Sequence, residues 1–229
     1  MENHFKSKLL SKEFDQLVDL TYSVSPSSSV WPGDRGPEFT QLSELPHDDV
    51  NLSRLSMNLH TETHVDAPSH FIKGGATIDE LPLTNFFGEA VVYLPDDKLR
   101  GQTIELEEVK KSGITLNQDE VFILNSGLGD LKGDDRYYKD FPTPSVNLVN
   151  WLLDHGIKCY GTDCPSIDPL SSESHENHEL LLSGGIPIVE NLANLDQLNQ
   201  AEEILFFSLP LELKGLEASP CRATAIISS

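Results

Sequence analysis

Basic residues are scarce in this chain. Sixteen Lys and Arg stand against 37 Asp and Glu among 229 residues, a formal net charge of −21. Such a surface repels phosphate backbones and anionic lipid, which argues against nucleic acid and membrane as partners. Long apolar runs are also missing. Nothing approaches the roughly eighteen residues that a membrane-spanning helix needs, and Met1 to Leu10 lack the apolar core of a secretory signal. A cytoplasmic protein is expected. Cysteine is rare: Cys159, Cys164 and Cys221 are an odd number without metal-ligand spacing, so they read as reduced thiols and not as a disulfide framework. No neighbour in sequence marks Cys164 as an activated nucleophile, and the Gly-x-Ser-x-Gly elbow of serine hydrolases is absent. Aromatic residues make up only 7%, but hydrophobic residues reach 38%, ordinary for a soluble chain long enough to bury one core.

Histidine and acid are concentrated in one place. The stretch His60-Thr61-Glu62-Thr63-His64-Val65-Asp66-Ala67-Pro68-Ser69-His70-Phe71 holds three imidazoles and two carboxylates. Leu55, Met57 and Leu59 alternate with polar Ser56, Asn58 and His60 just before it, the period of a half-buried strand. A roughly extended backbone would point His60, Glu62, His64 and Asp66 to one side, whereas a helix would turn Asp66 away; an extended or looped path ended by Pro68 lets His60, His64 and Asp66 converge. Two neutral imidazoles and a carboxylate form a normal ligand set for zinc or manganese. The plainer reading is a polar strand edge with solvated histidines; the spacing and the further His70 favour metal.

Elsewhere the pattern is that of a layered α/β domain. Residues 1–16 read as a polar leader, with a short helix over Leu9–Leu17, and residues 17–229 as one domain. Strands are expected at Leu17–Thr21, Glu89–Leu94, Val121–Asn125, Ile157–Gly161, Ile186–Glu190, Glu203–Leu209 and Arg222–Ile227. Helices are expected over Ile104–Lys111, from a Ser145 cap to Gly156, and over Glu173–Ser183 before Gly184-Gly185. Asp130–Asp140 reads as a charged loop, and His47, Asp48 and Asp49 as an exposed turn. Trp31, in the turn-rich Ser25–Asp34 segment, is equally suited to covering a pocket or plugging the core edge. A helix, a Gly-Gly turn and a returning strand can bring His178 and Glu190, twelve residues apart, to the same end of the layer. Glu173, Glu176 and Glu179 read as solvated helix face.

The motif His60-x-x-Thr63-His64-x-Asp66-x-Pro68-x-His70-Phe71 resembles the signature of the cyclase family of metal hydrolases, a group that includes bacterial kynurenine formamidases and isatin hydrolases. Trp31-Pro32-Gly33-Asp34, the run Gly161 to Asp168, His178, Glu190-Asn191-Leu192, Leu209-Pro210-Leu211 and Ser219 to Arg222 extend the likeness from about residue 17 to the C-terminus. The resemblance implies a swivelling β/β/α fold and two divalent ions, zinc foremost and manganese the alternative. His60, His64 and Asp66 would hold one ion. Asp66, His178 and Glu190 would hold the other, with Asp66 bridging. His70 would be the general acid/base, titrating near neutral pH, and Trp31 would line the substrate pocket. A homodimer or larger homo-oligomer is implied as well.

The implied reaction is hydrolysis of a small aryl formamide or cyclic amide by metal-activated water, with N-formylkynurenine the best single substrate. A small-molecule cyclase on the same metals and a catalytically silent metal-binding protein are the alternatives. Two positions depart from the family pattern. Glu62 stands where glycine is usual, and is expected to point away, to add a ligand or to reshape the pocket, with a changed pocket or metal environment favoured. Asn125-Ser126-Gly127 replaces the usual Arg-Thr-Gly type of triplet.

Overall fold

A parallel ladder buried on both faces lies at the centre of the protein. The computed structural model describes residues 16–95 and 100–228. In chain order the strands are β1 (Gln16–Asp19), β2 (Glu38–Ser43), β3 (Leu52–Ser56), β4 (His64–Asp66), β5 (Phe87–Tyr93), β6 (Thr103–Ile104) and β7 (Val121–Leu124). They continue as β8 (Thr143–Pro144), β9 (Cys159–Thr162), β10 (Ile188–Glu190), β11 (Glu203–Phe207), β12 (Ala218–Pro220) and β13 (Thr224–Ser228). The α-helices are α1 (Leu106–Lys111), α2 (Val146–His155) and α3 (Glu176–Ser183). The helix expected over Leu9–Leu17 falls outside the described residues except for Gln16 and Leu17, which open β1.

Among the described residues, nine strands form one sheet in the order β1-β13-β11-β5-β7-β9-β10-β4-β12. The central strands β5, β7, β9 and β10 are parallel. Both flanks are antiparallel: β1, β13 and β11 beyond β5, and β4 and β12 beyond β10. The apolar run of β7 follows from burial on two faces. Val121 and Ile123 enter one core with Val18, Val65 and Phe206, while Phe122 and Leu124 enter the other with Leu148, Leu152 and Leu181. Helices α2 and α3 cover that second face. Val18 of β1 and Val65 of β4 come from opposite ends of the strand order yet share the first core, so the sheet curls round and closes over it.

Local signals in the sequence account for the helices. Ser145 Oγ accepts from the Leu148 amide at the start of α2, and Gly156 ends it at φ +68°. Helix α3 stops at Gly184, as expected. None of the helices of the described residues is long and apolar enough to cross a membrane.

Of the extended and looped paths open to the stretch from Leu55 to Asp66, the chain takes the looped one. β3 ends at Ser56 and residues 59–63 turn before β4 begins at His64. Leu55 is half-exposed in a ribbon that β3 makes with β2 alone, so the apolar alternation there does not face the core. Glu62 breaks the extension physically, because its φ of +57° reverses the chain.

Candidate metal centre

Pairing between β4 and β10 brings the first ligands together. Glu190 lies directly opposite His64 in the antiparallel ladder, and Ile188 opposite Asp66. Val65 and Val189 point to the core, so His64, Asp66 and Glu190 point to the other face. The turn before β4 returns His60 to them. His178 arrives from the first turn of α3, whose amides at Asn177 and His178 both donate to Asp168.

The ligand atoms of His60, His64 and Asp66 all lie within 4.8 Å of one another, and so do those of Asp66, His178 and Glu190. The carboxylate of Asp66 divides between the groups. Its Oδ1 is 2.8 Å from His60 Nδ1 and 3.2 Å from His64 Nε2, and its Oδ2 is 3.9 Å from His178 Nε2. Glu190 lies between His178 Nε2 at 3.3 Å and His64 Nε2 at 3.6 Å. Two ring nitrogens are oriented from behind. His64 Nδ1 lies 2.8 Å from the Glu62 carbonyl, which can only accept, so Nδ1 carries the proton and Nε2 faces the cluster. His178 Nδ1 likewise donates to Asp168 Oδ2 at 2.6 Å. In a third grouping, Asp168 with His175 and His178, it is Asp168 that orients the candidate ligand His178 from behind.

Buried polar atoms here are left unsatisfied. His60 Nε2, His64 Nε2, both oxygens of Asp66 and Glu190 Oε1 have close neighbours but no well-aligned hydrogen bond. Each such atom costs about 1–3 kcal/mol, more when charged, so the arrangement is explicable as a cradle for cations. The donor set, imidazole nitrogen and carboxylate oxygen, fits zinc or manganese.

Electrostatics follow from the same crowding. Burial pulls the His64 imidazole down, but Asp66 and Glu190 outweigh it and raise its pKa to about 9. At His178 burial is likewise overcome, by Asp168, Glu190 and Asp66, and the value rises to about 10. Burial acts to raise Asp66, yet His60 and His64 hold it well below the usual carboxylate range. Glu190 is raised, by burial first.

The centre forms the floor of a cavity of about 240 Å³ walled by Trp31, Phe71, Tyr138 and His175. Clefts for drug-sized ligands start at roughly 300 Å³, so this one suits a small substrate. Trp31 does both things expected of it: it lines the cavity and packs edge-on against Tyr138 at 6.0 Å. His70 lies outside both ligand groups and stacks on His60 at 4.1 Å. A Cβ at Gly75 would sit 2.8 Å from the Pro68 carbonyl carbon, so only glycine lets the following turn close under His70. Burial, more than the neighbouring imidazoles, pushes His70 down to about 4, against the pull of Asp66. Its imidazole is neutral at pH 7 and does not titrate near neutrality as expected.

Three further expectations concern neighbours. Glu62 neither joins the ligand groups nor lines the cavity; its side chain turns the other way, to Lys132, so of the outcomes expected for it an added ligand is the one the structure does not support. The Asn125-Ser126-Gly127 triplet also lies off the cavity, where Ser126 donates to the buried Asp163 through its amide and its hydroxyl. Cys164 is buried and held well above the ordinary thiol range by burial, so it is inert. The supporting role of Asp168 was missed, although the run Gly161–Asp168 had been singled out. Ten residues separate Asp168 from His178, and no local pattern links them.

Fold and site together are those of a mixed α/β metal-site protein, and comparison with known proteins gives the family. The family model described as "Putative cyclase" matches residues 18–169, and the chain belongs to that cyclase family. The kynurenine formamidase of Salinibacter ruber is 34% identical over 209 residues, spanning 90% of this chain and 95% of its own. That of Bordetella petrii is 32% identical, spanning 91% and 96%. In fold, the chain matches isatin hydrolase A from Labrenzia aggregata with a TM-score of 0.84 over 99% of both chains at 24% identity.

The raised imidazoles predict how metal binds. In the metal-free protein at pH 7 His64 and His178 both hold an extra proton, which an incoming cation must displace. Apparent zinc affinity should therefore rise as pH climbs through about 9 toward about 10, the values of His64 and His178. Titration calorimetry in buffers of contrasting ionisation enthalpy should show proton release; heats independent of the buffer would contradict it.

Proposed function

We propose that this protein is a metal-dependent hydrolase of small aryl formamides or cyclic amides, with N-formylkynurenine as its leading substrate. The observation that carries the reading is the set of buried, unsatisfied imidazole and carboxylate atoms on the floor of an aromatic cavity. The kynurenine formamidases among its relatives support the amide chemistry. His60, His64 and Asp66 would hold one divalent ion and Asp66, His178 and Glu190 a second, zinc in preference to manganese. The division of the two Asp66 oxygens between the groups supports a bridging role. When bound, such ions polarise a carbonyl and make hydroxide available near neutral pH.

The chain's own residues do the rest. Trp31, with Phe71 and Tyr138, holds an aryl ring and excludes water from it. His70, neutral and facing the same cavity, takes a proton from the attacking water at a ring nitrogen and returns it to the departing nitrogen. The hydrolase domain begins at Gln16, one residue before the expected boundary, because Gln16 pairs with Ile227, and the enzyme works in the cytoplasm.

An oligomer, at least a homodimer, belongs to the same reading. The ribbon of β2 and β3 stands apart from the main sheet and exposes Phe39, Leu42, Leu52 and Leu55. A two-stranded ribbon is marginal alone in water, and apolar patches of this kind mark interfaces. A second copy of the chain would cover it.

Three experiments test these statements. The purified enzyme should hydrolyse N-formylkynurenine or isatin and lose activity to a chelator. His70→Ala should keep its metal while turnover falls by about 10²–10⁴-fold, the usual worth of a general acid/base. A metal-loaded protein inert toward amides, lactams and esters sinks the hydrolase, and near-normal rates for His70→Ala sink the role of that residue. For the oligomer, light scattering should find a dimer or larger for the wild type and a monomer for Phe39→Asp/Leu55→Asp; a monomeric wild type refutes it.

A further inference from the structure

Glu62 occupies a place that should reject it. Its backbone is left-handed, a conformation open to glycine and strained for glutamate, and its side chain is buried. The carboxylate has one compensating partner: Oε2 lies 2.7 Å from Lys132 Nζ, with the two side chains only 4% and 15% exposed. The ammonium sits between aromatic faces, 4.5 Å from the Tyr22 ring centre and 4.4 Å from that of Tyr137. It also donates to Asn191 Oδ1 at 3.4 Å.

These contacts join both sides of the metal cluster. On one side the Glu62 carbonyl fixes His64 through Nδ1. On the other, Asn191 directly follows Glu190, has a left-handed backbone of its own, and accepts from Tyr137 Oη at 2.8 Å. Thr63 completes the tie by donating to the Asn191 carbonyl at 2.6 Å and accepting from the Tyr22 amide. A buried ion pair stabilises a fold little more than apolar residues of the same shape would. Its contribution here is geometric, and being neutral as a pair it adds no net charge beside an already anionic centre.

We propose that Glu62 and Lys132 are positioning residues for the metal centre: their ion pair clamps the turn that aims His64 to the strand end that carries Glu190. The inference rests on reading the cluster as a metal centre, and it explains why a buried glutamate is kept at a glycine-type position two residues from a ligand.

The test compares wild type with Lys132→Met and with Glu62→Gln/Lys132→Met, which leaves no unpaired charge. Zinc affinity is measured by chelator competition, and kcat and KM on N-formylkynurenine. Both variants should bind zinc about 10–100-fold more weakly, the usual effect of losing support behind a ligand. kcat should fall with KM unchanged, since neither residue lines the cavity. Zinc affinities within about twofold of wild type overturn the proposal. If Lys132→Met does not fold, the double variant decides by the same two results. A wild type that binds no zinc overturns both this inference and the metal reading; a wild type that binds zinc with an unaffected double variant overturns this inference alone.

Discussion

Two carboxylates buried side by side, Asp66 and Glu190, set the terms for the rest of this structure. Away from water such a pair repels itself strongly, and three imidazoles converge on it without satisfying its oxygens. Protons are a partial answer, which is why His64 and His178 bind them so tightly. Divalent cations are the fuller one. The sheet, the turn before β4 and the first turn of α3 all serve to hold these groups close against their mutual cost.

The fold supplies that force by pairing. His64 and Glu190 face each other across one antiparallel ladder, between valines that anchor it to the core. Behind the ligands stands a layer with no contact to the cavity: Asp168 gripping His178 and the amides of α3, and the Glu62 carbonyl gripping His64. The left-handed Glu62, a conformation that costs about 1–3 kcal/mol, is buried beside Lys132, whose ammonium lies between the rings of Tyr22 and Tyr137. Trp31, Phe71, Tyr138 and His175 wall the cavity above this cluster.

Much of this was legible in the sequence, because the signals were local. The spacing of His60, His64 and Asp66 pointed to convergence, the Ser145 cap and Gly156 marked the ends of α2, and the apolar run of β7 announced a doubly buried strand. His178 and Glu190 were matched by the length of one helix-turn-strand unit. What failed was long-range. The dihedral of Glu62 cannot be read from alternation, and its partner Lys132 lies seventy residues on in a loop that looked merely charged. Asp168 was visible as part of a motif, but its function depends on how the chain between it and α3 folds back. The alternation from Leu55 to His60 is that of a half-buried strand, yet Leu55 belongs to a ribbon that stands outside the core and is half-exposed.

The central claim is that the buried cluster is a two-cation site bridged by Asp66. Anomalous diffraction at the zinc edge, from crystals of the zinc-loaded protein, tests it most directly. The account predicts two peaks per chain, one among His60, His64 and Asp66 and the other among Asp66, His178 and Glu190. Absence of a peak at these residues, or ions bound only elsewhere on the acidic surface, would contradict it.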